Sequence, residues 1–491
     1  METTYSGHMK LFSPSLLVLG VVLNMLAAFL LIPAALGYLQ ATGNHSEFLL
    51  SAGLASFTGV VLALTGFRHR ATNLQSRQMF IITTSAWVVV PFFGALPFWF
   101  WEHGVSLTDA VFETVSGLTT TGATIFVGLD NTPPDILLWR SLLHWIGGMG
   151  IIGMAIAVMP FLSVGGMKLF RTESSDWSDK SLPRTQQLLM LMVVTYALLT
   201  LACMLAYWLF GMDVFNAVNH AMATVSTGGY STSDSSFAQF DSISLHWVSI
   251  VFMVLGATPF VLFIKLVRHK QVSIFRDAQW RGMLAILGVL ALLLTLPALS
   301  MPGETLPWAF THAMFNIVSV VTTTGFASTD YTLWGDFAIA IFFFATFLGG
   351  CSGSTSGGIK TFRVQLCFTV IREQIIKAVH PNAILKRQYN GSTVSDEIVA
   401  SLVGFLFLMA ISLTIMTLLL SLMGLDLVTS LTGSATALMN VGPGLGAVIG
   451  PAGNFQPLPA AAKWVLSMGM ILGRLEFLTI IVLLTPAFWR R

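Results

Sequence analysis

"TTTGAT" occupies Thr119 to Thr124, at the end of a short apolar stretch, and variants of it recur along the chain. "VSTGGYS" runs from Val225 to Ser231, "VTTTGFAS" from Val321 to Ser328, and "MNVGPG" from Met439 to Gly444. Hydroxyl residues and glycines build poor cores, so their repetition in a greasy chain needs another reason. The stretches leading into them supply it: Thr108 to Thr121, Asp213 to Thr227, Pro307 to Thr324 and Asp426 to Val441. A helix of about 14 residues extends roughly 21 Å, short of the ~30 Å hydrocarbon core of a bilayer. Each stretch therefore dips into the membrane and returns on the same side, or lies buried against protein.

The rest of the chain supplies the membrane context. Of its 491 residues 55% are hydrophobic and 9% charged, and the mean hydropathy is +0.79. A soluble domain carries about 25% charged residues, so this is the composition of a polytopic membrane protein. About ten segments are long and apolar enough to span, near 15–39, 47–66, 77–101, 136–162, 184–211, 242–268, 281–301, 334–380 (interrupted), 396–424 and 461–488. The first reads as a span and not as a cleavable leader, because no small-residue cleavage site follows it. With the N-terminus inside, every Lys and Arg except Arg140, Lys463 and Arg474 falls in a cytoplasmic segment, the bias expected of inward loops. Both termini are thus expected in the cytoplasm. More than half of the 22 acidic residues lie on the outer side, among them Glu102, Asp130, Asp135, Asp234, Asp241, Glu304, Asp330 and Asp336. They predict a negative outer face that enriches cations. Cys203, Cys351 and Cys367 have neither zinc-like nor disulfide-framework spacing.

Aligning the glycine runs puts Gly122, Gly228, Gly325 and Gly442 in register. Nine residues earlier stand Glu113, Asn219, Asn316 and Gly433; the three polar ones are expected to support the runs from behind. Each unit reads span, short helix, extended glycine run, span. Two spans return the chain to its starting side, so the four units share one orientation and fit around an axis along the membrane normal. The expected fold is all-α, with two extra N-terminal helices over 1–70 and units over 71–170, 171–275, 276–390 and 391–491.

Non-helical backbone at membrane depth is tolerated only where it is buried in protein or lines a water-filled path. Four such runs around one axis would aim a ring of carbonyl oxygens at the centre, and carbonyl rings replace the hydration shell of a monovalent cation. Glycine permits the positive φ that this turn requires. The C-terminal dipole ends of four helices entering from outside add a field that favours cations. One such run is an ordinary helix cap. Four, each behind a helix too short to span, are a pore.

Two further features read as gating. "LGGCSGSTSGG", Leu348 to Gly358, interrupts the eighth span with five glycines, each of which weakens a helix by ~1 kcal/mol. Gly349, Gly350, Ser352, Gly353, Ser354, Gly357 and Gly358 are therefore expected in an unwound segment below the runs; close packing of small residues is the competing reading. Lys360 and Arg363 follow near the cytoplasmic side. Arg474 stands inside the last span, where an arginine costs several kcal/mol and normally faces the bundle interior with a partner. Glu476 is too close in sequence to share its helix face, so Arg474 is expected to reach the permeation path or the glycine-rich loop.

"FETVSGLTTTGAT" (Phe112–Thr124), "HWIGGMGIIGMAIAVMP" (His144–Pro160), "STGGYS", "TTTGFAS", "GGCSGSTSGGIKTFR" (Gly349–Arg363) and "GRLEF" (Gly473–Phe477) together resemble the Trk/Ktr/HKT superfamily of potassium transporters. The resemblance is to its TrkH/TrkG-type membrane subunits and covers essentially the whole chain. It implies a K⁺-uptake pore in the bacterial plasma membrane, working as a homodimer gated by a cytosolic ring of nucleotide-binding regulatory subunits. It implies a selectivity filter at Thr120, Thr121 and Gly122; Ser226, Thr227 and Gly228; Thr323, Thr324 and Gly325; and Asn440, Val441 and Gly442. It implies K⁺ as the ion bound there, and no organic cofactor. It also implies an intramembrane gating loop at the glycine-rich segment, with an arginine at Arg474 below the filter. The fourth run lacks threonine, so any hydroxyl contribution is at most threefold.

Other classes stay open at this stage. A Na⁺-permeable or H⁺- or Na⁺-coupled K⁺ symporter would share this sequence pattern. An organic-solute carrier with broken helices usually has inverted repeats, whereas these are parallel. An enzyme would need a nucleophile beside a base, and none is evident. The scattered histidines, including His144, His220, His246 and His312, lack metal-ligand spacing. No nucleotide-binding fingerprint is present.

Overall fold

A computed structural model describes residues 2–67, 75–101, 105–157, 182–269, 273–383, 385–390 and 392–490. Arg68, Arg70, Glu102, Lys270 and most of the inward connection expected at 163–184 lie outside the described residues. The chain opens with a helical hairpin, α1 (Glu2–Leu39) and α2 (His45–Phe67). Small residues bring its arms together: a Cβ on Gly20 would stand 2.5 Å from the Ala63 amide nitrogen. Then follow α3 (Ser76–Gly94), its continuation α4 (Leu96–Phe100), the short α5 (Leu107–Leu118) and the long α6 (Pro134–Ala157). Asp135 at the start of α6 is buried and accepts from Thr42 Oγ1 at 2.7 Å and Asn44 Nδ2 at 3.3 Å, tying the hairpin to the body.

The pattern of long and short helices then recurs. α7 (Leu182–Leu209) leads into α8 (Val214–Val225), followed by α9 (Ile243–Gly256) and α10 (Phe260–His269). α11 (Ala278–Leu299) leads into α12 (Leu306–Val321), followed by α13 (Asp336–Ala345) and α14 (Thr361–Val379). α15 (Asp396–Leu422) leads into α16 (Leu427–Met439), followed by α17 (Ala460–Arg474) and α18 (Leu478–Leu484). Ser106, Asp213 and Asp426 cap the short helices α5, α8 and α16, each accepting a backbone N–H three residues on. A capping oxygen placed before an apolar run fixes where a helix begins, so these helices start where the sequence places them. They are buried on nearly all sides in their second halves.

Among the described residues, seven helical stretches are long and apolar enough to cross a membrane alone, and two bent pairs are so when each is taken together. The spans read as continuous at 242–268 and 461–488 are broken. α9 and α10 meet at 94° around Ala257–Pro259, and α17 and α18 at 110°. Pro259 ends the first helix because the residue before a proline is pushed out of the α region. The second break holds Glu476 and Phe477 at φ 56° and 54°, with Glu476 paired to Arg363 at 2.6 Å. The interruption expected at 348–358 is present. Its ends are clipped by a parallel pair, β1 (Leu348–Gly349) on β2 (Ile359–Lys360). With a two-residue hairpin, β3 (Gln388–Tyr389) and β4 (Ser392–Thr393), these are the only strands among the described residues.

The outer surface differs from expectation in one respect. Asp135 and Glu113 are buried, and Asp109 pairs with Lys463 at 2.5 Å. Arg140, the other outer basic residue, pairs with Glu113 at 2.8 Å. Two acids therefore pair with both outer cations and Asp135 is held by neutral donors, leaving Asp130, Asp234, Asp241 and Asp330 among the acids at the rim.

Candidate ion-binding site

Each short helix ends in the same way. Thr121, Gly228, Thr324 and Val441 donate their N–H groups to Ser116, Ala223, Ser319 and Thr436, at 2.8, 2.9, 2.8 and 3.1 Å. The residue before each of these has a left-handed backbone: Thr120, Thr227, Thr323 and Asn440 lie at φ 52°, 54°, 58° and 55°. A threonine in that region costs on the order of 1–3 kcal/mol and persists only where its surroundings over-determine it. The residue after is a glycine at φ 86°, 82°, 84° and 105°: Gly122, Gly229, Gly325 and Gly442.

This corrects the second run by one residue. Gly229, not Gly228, is the partner of Gly122; Gly228 matches Thr121; and Ser226 moves back to the helix cap beside Thr119 and Thr322. "STGG" contains two adjacent glycines, and only backbone geometry tells which one takes the positive φ. Nine residues before Gly229 stands His220, which replaces Asn219 as the supporting residue. Asn219 donates only to Phe215 O in its own helix, at 2.8 Å.

In the corrected register the runs close on one another. A Cβ on Gly122 would stand 2.1 Å from the Gly228 carbonyl oxygen, one on Gly229 1.9 Å from that of Thr324, one on Gly325 2.2 Å from that of Val441, and one on Gly442 2.8 Å from that of Thr121. Run one meets two, two meets three, three meets four, and four returns to one. Only glycine allows that approach. The carbonyl oxygens at the three positions from Thr120, Thr227, Thr323 and Asn440 onward accept no hydrogen bond among the described residues. The N–H groups are tied to the short helices while the oxygens are left free. Carbonyl oxygens oriented and left free in this way can coordinate a cation.

Behind the ring, Glu113 accepts from Thr124 Oγ1 at 3.0 Å and Ile125 N at 2.9 Å, and Asn316 exchanges bonds with Ser328 N and Oγ, both 3.0 Å. His220 Nε2 meets Ser231 Oγ at 3.1 Å. In the fourth unit Gly433 has no side chain, and Thr432 Oγ1 accepts from Leu445 N at 3.1 Å instead. Glu113 thus supports the run and does not line the axis. Its partner Arg140 also donates to Ser231 O at 2.9 Å and Thr124 Oγ1 at 3.0 Å, linking runs one and two. Sequence reading counted Arg140 only as an outward-facing cation at the head of the 136–162 span and gave it no role, although an arginine followed by the apolar 141–157 was the available signal.

Below the ring lies the glycine-rich segment. Thr227 Oγ1 donates to Thr355 Oγ1 at 3.2 Å; Thr323 Oγ1 meets Ser356 Oγ at 3.2 Å and accepts from Gly357 N at 2.7 Å. Gly358 N donates to Met439 O at 2.8 Å. Arg474 Nη2 donates to Thr120 Oγ1 at 2.8 Å and to Thr355 O. Three of the four left-handed residues above are thereby engaged from below. Gly349 O accepts from Thr361 Oγ1, Ser352 N donates to Gln279, Ser354 Oγ to Cys351 O, and Phe260 N to Gly353 O. The segment's small side chains let it lie against Ala257: a Cβ on Gly350 would stand 2.8 Å from Ala257 Cβ.

Known proteins resemble the chain over nearly its whole length. A family model described as "TrkH: Cation transport protein" matches residues 46–491. The chain is 44% identical over 484 residues to the Trk system potassium uptake protein TrkI of Halomonas elongata, covering 98% of each. It is 34% identical over 478 residues to Trk system potassium uptake protein TrkH of Escherichia coli K12, covering 96% of this chain and 98% of the relative. A crystal structure of the potassium transporter TrkH from Vibrio parahaemolyticus superposes with a TM-score of 0.90 at 34% identity, over 98% of this chain and 100% of that one. With a match of this length carried on a ring of free backbone oxygens, the chain belongs to the TrkH family of cation transport proteins, membrane transporters and not enzymes.

Proposed function

We propose that the chain is the membrane subunit of a potassium uptake system, carrying K⁺ inward through a filter made by the four runs. The observation that carries this reading is the closed ring of Thr121, Gly228, Thr324 and Val441 carbonyl oxygens, with donors satisfied elsewhere and acceptors free. Such oxygens substitute for the hydration shell of a monovalent cation. The names of its relatives, potassium uptake proteins of Trk systems, supply the ion.

The segment Leu348–Gly358 is the gate. It is bonded to Thr227 and Thr323 and stands in the way below the ring, with Arg474 adding a positive charge against conduction. Lys360 and Arg363 at its cytoplasmic end are where a cytosolic nucleotide-binding regulatory ring would pull, and a second copy of the chain completes the assembly. The four units over 71–491, the two added helices over 1–70, a bacterial inner-membrane location and cytoplasmic termini are part of the same reading, supported by the charge bias of the loops.

The test is the purified chain in liposomes with an imposed membrane potential and separately imposed Na⁺ and pH gradients. K⁺ flux that follows voltage alone supports the uptake pore. K⁺ flux that needs a Na⁺ or H⁺ gradient replaces it with a symporter, and no K⁺ flux under any gradient contradicts both.

A further inference from the structure

Resting on that filter, we infer that His144 is a positioning residue for ion selectivity: its imidazole takes the place of the side chain that the second run lacks and holds the Gly228 carbonyl in the ring. Of the four ring residues, Thr121, Thr324 and Val441 carry β-branched side chains and Gly228 carries none. The backbone does not demand glycine there, since Gly228 is not among the positive-φ residues. The space does. A Cβ on Gly228 would stand 2.0 Å from His144 Nδ1 and 2.5 Å from both Cγ and Cε1.

The imidazole is itself fixed. It stacks on the Tyr230 ring at 3.9 Å and 13°, and the Arg140 guanidinium lies over the same tyrosine at 4.2 Å. Tyr230 donates its hydroxyl to Glu113 O at 2.7 Å. Arg140 and His144 are four residues apart on α6 and so share a face. That face reaches from the first unit into the second run.

The choice of histidine is specific to this place. His144 is fully buried, yet neither ring nitrogen has a hydrogen-bond partner among the described residues. A buried polar group left unpaired is costly, so a residue needed only to fill a core would be apolar. The equivalent helices confirm the contrast. Gly147, Gly256 and Gly473 each pack against the backbone of their own short helix, at Leu118 O, Val225 O and Leu438 O. Three residues before them stand His144, Met253 and Met470. The flat ring appears where the adjoining run has no side chain of its own.

The test uses the full chain in liposomes, with K⁺ and Na⁺ as probes. His144→Ala is expected to lower the K⁺ to Na⁺ permeability ratio by about tenfold or more, while flux itself persists. Gly228→Thr, which copies Thr121 and Thr324, is expected to lose K⁺ transport in the presence of the imidazole. Combined with His144→Ala it should recover both flux and most of the ratio. If His144→Ala does not assemble, as judged by size-exclusion chromatography, the recovery of Gly228→Thr decides alone. A wild-type ratio in His144→Ala, or a Gly228→Thr defect equally severe in both backgrounds, overturns the assignment. Gly122→Ser separates the two levels of inference. If it changes the ratio while His144→Ala does not, only the role of His144 fails; if neither does, the filter fails as well.

Discussion

The ring and the segment beneath it are both glycine-rich, non-helical backbone at membrane depth, yet their hydrogen bonds are arranged oppositely. In the ring, N–H groups are bonded back to the short helices and the carbonyl oxygens are free. In the segment below, the carbonyls of Gly349, Gly350, Cys351, Gly353, Thr355 and Ser356 all accept bonds from Thr361, Ser354, Phe260, Arg474 or Lys360. Free oxygens at depth persist only where a cation or water meets them. Satisfied ones need neither, which is why the proposed gate is placed there. Composition alone does not separate the two; the direction in which the oxygens are spent does.

This contrast predicts that changes in the ring alter which ion passes and changes in the loop alter how much passes. The largest effect is expected of Gly122→Ser, which meets both a φ of 86° and the Gly228 oxygen. Strain of about 3 kcal/mol corresponds to roughly a hundredfold fall in K⁺ to Na⁺ flux ratio, read from liposome flux. An unchanged ratio would break the comparison. Arg140→Met comes next. It strands the buried Glu113 carboxylate, which costs about 3–5 kcal/mol and should lower the melting temperature in detergent. Arg140→Met with Glu113→Leu should recover most of that loss.

Deleting Gly350–Ser356 should act on the other side of the comparison. It removes the Thr355 and Ser356 side-chain bonds to Thr227 and Thr323, each worth ~1 kcal/mol, and is expected to raise basal flux about tenfold or more without changing the ion ratio. A folded but still closed protein would count against the gate. The smallest effects test the register. His220→Ala removes the support at Ser231 and should cost about 1 kcal/mol, seen in thermal unfolding and a modest loss of selectivity. Asn219→Ala loses only a bond within its own helix, and its buried Oδ1 has no partner to lose, so it should cost less than His220→Ala; the reverse order would restore the uncorrected alignment.

Much of this architecture was legible because the signals were strong and local. Apolar runs too short to span, each ahead of a glycine run, marked α5, α8 and α16 to within a few residues, and the glycine content of 348–358 marked the interruption. Glu113 and Asn316 were found through their spacing from a glycine. What failed depended on three dimensions. "STGG" has two glycines and one positive φ, so Gly229 and His220 were each displaced by one position. The bend at Glu476 rests on an ion pair with Arg363, more than a hundred residues away. The link of Arg140 to Ser231 and the packing of His144 on Gly228 join different units, and neither has a mark in the linear spacing.

Replacing K⁺ with Rb⁺ in crystals of the protein would locate the ion in the ring by anomalous scattering. The account predicts Rb⁺ on the central axis, within coordinating distance of the carbonyl oxygens of Thr121, Gly228, Thr324 and Val441. Crystals soaked in Rb⁺ that show no ion at that ring, or ions held only by side-chain carboxylates away from it, would contradict the account.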